Sequence, residues 1–494
     1  MCRKTLNVRL NEKSSNMVDK LRRDVSEAPA VCTTADIWSC MRRSYLGVTA
    51  HWIDDDLTRQ SAALACCRLK GSHTFDIVAD SLITVHNNYG LDHRSISFTV
   101  TDNGANMVKA FAEYQEPDTS VDGSSDLSDS DDDDDESVSV EFSDMSVVAA
   151  DVDVILPDSD KSLESSFLPK HMRCASHTLN LVASTDFNKL VADESNGCKR
   201  LIRSAFAKCS QLWNNVSRST KSSDSAVEIL GISLRTPGET RWNSTFDAVK
   251  RLLEPRVRQK LAQLMDTLKL PQFSKIEIEI LEEYVKFMGP IAIALDRLQG
   301  ESQCYLGLLM PTIQQVHKKI LSCSSTLSHS SLLAQALAKA VKVRFPHVFS
   351  YSKESEVFAA AAACHPKFKL RWVTESQKEF VKEAFLSECK AIAPTVNVND
   401  TDNSATQPVA TDDFFDFDDQ PGTDQVTAVN KVTVECLRYL EEPCSDSLET
   451  LHDFPAVKYI FRKLNATVPS SAPVEQLFSC GALICTARRN KLSD

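Results

Sequence analysis

Residues 30–110 alternate between strand and helix in an order that few architectures can satisfy. The runs AVCTTADIW (30–38), YLGVTAHWI (45–53) and TRQSAALACCRL (58–69) are β-type and joined by short polar links, which predicts a three-stranded meander. TFDIVADSLITVHNNYG (74–90) then places apolar residues at helical spacing and closes on Gly90, a suitable C-terminal cap. SISFTVTDNG (95–104) reads as a fourth strand running into a turn, and ANMVKAFAEY (105–114) as a second helix. An α/β unit this short is followed by a much longer stretch of different character.

From about 171 to 395 the apolar residues recur every 3.5–3.6 positions, in segments such as TFDAVKRLLEPRVRQKLAQLM, KIEIEILEEYVKFMGPIAIALDRLQ and ESQKEFVKEAFLSECKAIA. Two acidic, low-complexity tracts interrupt the chain. Neither buries enough apolar surface to offset its ordering entropy, and both are expected to be disordered. The expected organisation is a helical segment over 1–29, an α/β core over 30–115 and an acidic insert over 116–167. A core helix and an all-helical region follow over 168–395, then an acidic linker over 396–428 and a helical C-terminal segment over 429–494. A long all-α region wedged inside an α/β unit demands an explanation.

The net charge of −13 is unevenly spread. Residues 116–164 carry −17 and residues 400–424 carry −8, so removing both from the total of −13 leaves +12 on the rest. That balance suits a polyanionic partner. The chain holds 16 cysteines but no CxxC pair, so buried free thiols are expected rather than a zinc finger or a disulfide framework. No run approaches the roughly 20 apolar residues of a membrane-spanning helix, and the N-terminus has no secretory apolar region. A soluble, intracellular protein is expected, with no membrane partner and no small-molecule substrate.

Among the carboxylates, Asp36 stands inside a β run, where an unpaired Asp is costly unless it binds a partner or a metal. Asp102 ends the fourth strand at Asp-Asn-Gly, which by itself also makes a good turn. If the first and fourth strands are neighbours, both carboxylates emerge together. Their repulsion would be relieved by divalent cations able to activate water for phosphoryl displacement.

The order of elements, with Asp on the first and fourth strands, resembles the RNase H-like fold of DDE transposases and integrases. The local phrases resemble those of hAT-superfamily transposases. They are Thr34-Ala-Asp36-Ile-Trp38, Thr101-Asp102-Asn103-Gly104, Cys174-Ala-Ser-His177-Thr-Leu-Asn-Leu, Thr240-Arg241-Trp242-Asn243-Ser244 and Ser470-Ser471-Ala-Pro-Val-Glu475-Gln-Leu-Phe-Ser479. The phrase Leu298-Gln-Gly-Glu301 is similar to that of the zinc finger BED domain-containing group. The resemblance implies an RNase H-like core interrupted by a large all-α insertion, and a C-terminal helical dimerisation segment. It implies that Asp36, Asp102 and Glu475 are catalytic and hold Mg²⁺. Trp38, His177, Arg241, Trp242, Arg488 and Arg489 would contact DNA. Leu477, Phe478, Tyr459 and Phe461 would serve a homodimer or oligomer, and the location would be the nucleus.

Each residue also has a plainer reading. Trp38 and Trp242 suit a core. Cys174 and His177, one turn apart, could ligate a metal. Glu475 suits a helix N-terminus. The chain begins about 30 residues before Asp36, without the BED finger, and ends soon after Lys491, leaving the dimerisation segment incomplete. Gln476 stands where the family phrase has Arg. These departures lead to the expectation of a transposase-derived nuclear protein, DNA- or chromatin-associated and dimerising, that does not transpose autonomously. The alternatives are part of an active DDE transposase, and a helical scaffold that dimerises through 431–494.

Overall fold

The computed structural model describes residues 3–40, 43–71, 73–116, 167–192, 197–238, 242–300, 303–392 and 424–484. The centres of both acidic tracts, together with Arg241, Arg488 and Arg489, lie outside them. Elements of the α/β unit and the two final helices are labelled below; the intervening helices are given by residue range.

A helix α1 (Arg3–Ser26) leads into β1 (Val31–Cys40), β2 (Arg43–Ile53) and β3 (Arg59–Leu69), then α2 (Phe75–Asn88), β4 (Ile96–Thr101) and α3 (Ala105–Tyr114). A further strand β5 (His171–Arg173) precedes α4 (Ala175–Leu181). The five strands lie in the order β3-β2-β1-β4-β5. β1 and β3 run antiparallel to β2, whereas β4 runs parallel to β1 and β5 parallel to β4. The mixed sheet followed by a mostly helical region fits an RNase-like unit with a helical insertion.

Side-chain parity along β1 sets the two faces. Val31 and Ala35 join one core with Val78, Leu82, Met107 and Phe111 of α2 and α3. Cys32 belongs to the opposite core, shared with Val100, α4 and the helices beyond. Asp36 and Trp38 have the parity of Cys32, so they belong to the face that receives the rest of the chain.

The sequence reading placed helix from residue 171, and here the structure differs. His171, Met172 and Arg173 pair with Thr99, Val100 and Thr101 of β4. Three residues are too few to show a period of two. The strand exists because the exposed edge of β4 recruits it, and the His171 ring stacks on Phe111 with centroids 4.5 Å apart. The segment 245–265, read as one helical stretch, is two helices, Trp242–Leu252 and Pro255–Thr267. Pro255 occupies the first turn of the second, where its missing N–H costs nothing. Helices Thr220–Leu230 and Glu356–Ala363 were not singled out in the sequence. No helix among the described residues is long and apolar enough to cross a membrane.

The insertion is organised around helix Lys275–Leu298, whose Ser274 and Glu277 form a reciprocal capping box. Burial alone would raise the Glu277 carboxyl, but hydrogen bonds from Lys208, Ser204 and Ser274 hold it at about 2. At the far side, the phrase His365-Pro-Lys-Phe-Lys369 ends on a buried lysine. Lys369 Nζ donates to the carbonyls of Tyr439 (2.6 Å) and Glu442 (2.8 Å), capping helix Asp424–Glu441. A cation there meets the negative end of the helix dipole. Lys369→Met should lower unfolding free energy by about 1–3 kcal/mol, the scale for charge-assisted hydrogen bonds. Chemical denaturation checks this, and an unchanged midpoint would remove the capping role.

A candidate carboxylate site on the sheet

Two final helices complete the face that carries Asp36: α5 (Pro455–Asn465) and α6 (Ala472–Ile484). Helix α6 packs on β1 and β2. Its seat is made by Gly47 of β2, which pairs with Asp36. A Cβ at Gly47 would lie 2.6 Å from Phe478 and 2.7 Å from Val474, so only glycine lets α6 approach this closely. Trp38 stacks on the Phe478 ring, with centroids 5.7 Å apart and planes inclined by 24°. Its other neighbour is Tyr45, at 5.9 Å.

The parallel register places Ala35 opposite Thr101. The next residues, Asp36 and Asp102, therefore leave neighbouring strands side by side. Asp102 Oδ1 accepts the N–H of Gly104 at 3.0 Å, closing the turn that starts α3. Asp36 Oδ1 accepts the N–H of Ile37 at 2.7 Å. Burial pushes the Asp36 carboxyl up to about 7, and the nearby charges of Asp102 and Glu475 push the same way against that one hydrogen bond. Glu475 is half-buried in the first turn of α6. The structure thus brings Asp102 and Glu475, the other two sequence-predicted carboxylates, within electrostatic reach of Asp36. Among the described residues, no group of three or more His, Cys, Asp or Glu is gathered closely enough to hold a metal ion. The donor set of carboxylate oxygens nevertheless suits a hard divalent cation, which would offset both the burial and the neighbouring charges that raise Asp36.

Cys174 has a role that sequence reasoning missed. Its N–H donates to the carbonyl of Thr101 at 2.7 Å, next to Asp102. Its sulfur accepts the N–H of His177 at 3.4 Å, as the N-cap of α4, and the N–H of Ser471 at 3.3 Å. Ala175 N–H reaches the carbonyl of Pro469 at 2.9 Å. Cys174 therefore clasps the end of β4, the start of α4 and the entry to α6, joining Asp102 to Glu475. Its sulfur is thus engaged by backbone amides of both segments. The only sequence signal was its place at the head of the His177 phrase.

His177 is half-buried in the first turn of α4, beside this clasp. Asn180 of the same helix accepts the N–H of Trp242 at 3.2 Å, so the Cys174–Leu181 phrase meets the helix that opens at Trp242. Trp242 is not available as a stacking face for a base. It is 8% exposed, its indole N–H donates to Tyr284 Oη at 3.1 Å, and Phe246 packs against its ring. Burial follows from its position at the start of an amphipathic helix facing the insertion core. Trp38 keeps part of its surface but has one face covered by Phe478.

The residues expected in a dimer contact divide similarly. Phe461 is fully buried against Tyr305 and His365, and Phe478 against Trp38 and Gly47, so this chain itself covers their surface. Tyr459 and Leu477 are half-buried.

Residues 34–124 match the ZBED1 RNase-like domain family. Over 93% of its length the chain is 22% identical to a protein of Zea mays named as an AC transposase, covering 54% of that protein. A second Zea mays protein, named as an AC9 transposase, is also 22% identical over 93% of the chain, covering 55% of that protein. The chain thus spans about half the length of these curated relatives. The RNase-like match over the sheet and the 22% identity over most of the chain support a hAT-family transposase-like protein.

Proposed function

We propose that the chain carries a divalent-metal-dependent DNA strand-cleavage and transfer site of the DDE type, built from Asp36, Asp102 and Glu475. The observation that carries this is the meeting of carboxylates from β1, β4 and α6, with Asp36 raised first by burial and further by the charges of Asp102 and Glu475. Such a cluster destabilises the folded state unless it serves a charge-neutralising ligand. Asp36 and Asp102 would hold Mg²⁺ on the sheet, and Glu475 would close the site from α6. Bound there, the cations supply an activated water and stabilise the oxygens of an in-line displacement at a phosphodiester. The protein fixes the two sheet carboxylates by strand register, while the Gly47 seat and the Cys174 clasp place Glu475. His177, beside the clasp, would orient a phosphate. Trp38 would offer its uncovered edge to an unpaired end.

A second reading is a transposase-derived nuclear protein that binds DNA or chromatin as a dimer without transposing. It is favoured by Gln476, exposed beside Glu475, where an arginine would supply a planar phosphate-binding fork. Nicking of supercoiled DNA with Mn²⁺ or Mg²⁺ separates the two. The first reading expects nicking by the parent. It expects Glu475→Gln to fall below about a hundredth of that rate, since even outer-shell partners of a metal typically cost about 10–100-fold. Equal nicking by parent and variant would remove Glu475 from the mechanism. DNA retention without any nicking would leave the second reading in its place.

A further inference from the structure

The thiols of Cys389 and Cys436 face each other on two helices, Glu375–Ile392 and Asp424–Glu441, that pack side by side. Both residues are fully buried, and their sulfurs stand 2.7 Å apart. That is far inside the normal contact distance of two sulfur atoms and close to the approach needed for a bond. The third buried thiol nearby, Cys364, is engaged by the amide of Asn465 at 3.2 Å and by the carbonyl of Ala361 at 3.3 Å. The cysteine pair lies on two helices that share one neighbour. Helix α5 packs against both helices, with Glu435 accepting the N–H groups of Ala456 and Val457 at 2.8 and 3.3 Å, and α5 leads to the helix of Glu475.

We propose that Cys389 and Cys436 are a disulfide-forming pair that locks helix Glu375–Ile392 to helix Asp424–Glu441 under oxidising conditions. The oxidant is a hydroperoxide. It converts one thiol to a sulfenic acid and releases water; the second sulfur attacks that sulfur, forming the S–S bond and expelling a second water. Hydrogen peroxide is reduced to two waters, and the two thiol hydrogens leave in them. Both thiols are buried, so only a small oxidant reaches them and bulky alkylating reagents do not. The cross-link closes a long loop, the case in which a disulfide most restricts the unfolded chain.

The test uses the full chain, titrated with hydrogen peroxide and alkylated under denaturing conditions before peptide mapping. The expected result is a Cys389–Cys436 linked peptide that thiol reductant reverses, with a rise in melting temperature of roughly 5 °C or more. Cys389→Ser and Cys436→Ser should each abolish the peptide and the rise. Cys389→Ala serves as a second variant where serine impairs folding. Two outcomes overturn the proposal. One is alkylation of both cysteines at peroxide levels that already oxidise the exposed Cys66 and Cys480. The other is a melting rise that persists in the variants.

Discussion

Asp36→Asn should unfold at a higher temperature than the parent at pH 8 and at nearly the same temperature at pH 4. In the folded protein this carboxyl is raised from 3.8 to about 7, first by burial and then by Asp102 and Glu475. Between those values the folded state holds a proton that the unfolded state has released. Unfolding stability therefore falls as pH rises through this window, by up to about 1.4 kcal/mol per pH unit from this group. Solvent around a half-buried carboxylate screens part of the effect, leaving a gain for the amide on the order of 2 kcal/mol above pH 7. Asparagine keeps an oxygen for the Ile37 N–H, so no hydrogen bond is lost. The same substitution should abolish nicking, a trade of stability against function that marks an active-site charge. Added Mg²⁺ should raise the parent's melting temperature at pH 8 and leave that of Asp36→Asn unmoved. Thermal melts at pH 4 and 8 decide the matter. A variant no more stable than the parent at pH 8 would mean that burial and the neighbouring carboxylates do not raise Asp36 in the folded state.

Gly47→Ala should lose about 1–3 kcal/mol of stability and nearly all nicking. The added methyl would lie 2.6 Å from Phe478 and 2.7 Å from Val474. Phe478 cannot swing aside freely, because Trp38 stacks on its ring. The relief available is an outward shift of α6, which carries Glu475 away from Asp36 and Asp102. A shift near 1 Å is enough to disable a positioned catalytic group. Combining Gly47→Ala with Phe478→Leu should recover part of both losses, a coupling that a double-mutant cycle measures. If Gly47→Ala melts with the parent and nicks as well, α6 is not seated on β2 in solution.

Much of the fold was legible because local patterns carried it. The β runs around Asp36, Gly47 and Ala63, the Gly90 cap and the helix after Asp102 all follow from periodicity and turn chemistry. β5 was not legible, since three residues have no period and the sheet edge recruits them. The break before Pro255 was hidden by apolar spacing that runs through it. For the site, Asp36 and Asp102 were visible as a pair because a neighbouring strand order brings them together. Glu475 came only from the phrase it sits in, more than 370 residues later in the chain.

The sequence by itself determined the positions and types of most elements and the identities of the three carboxylates, because helix and strand periods, caps and motif phrases are local properties. The tertiary structure alone decided which face each residue meets. Side-chain parity on β1 turned Trp38 toward α6, while the amphipathic helix that opens at Trp242 turned that ring inward against Tyr284. The Cys174 clasp, the Gly47 seat and the facing thiols of Cys389 and Cys436 each join segments far apart in the chain. Such contacts depend on register and packing between elements, which no stretch of neighbouring residues encodes.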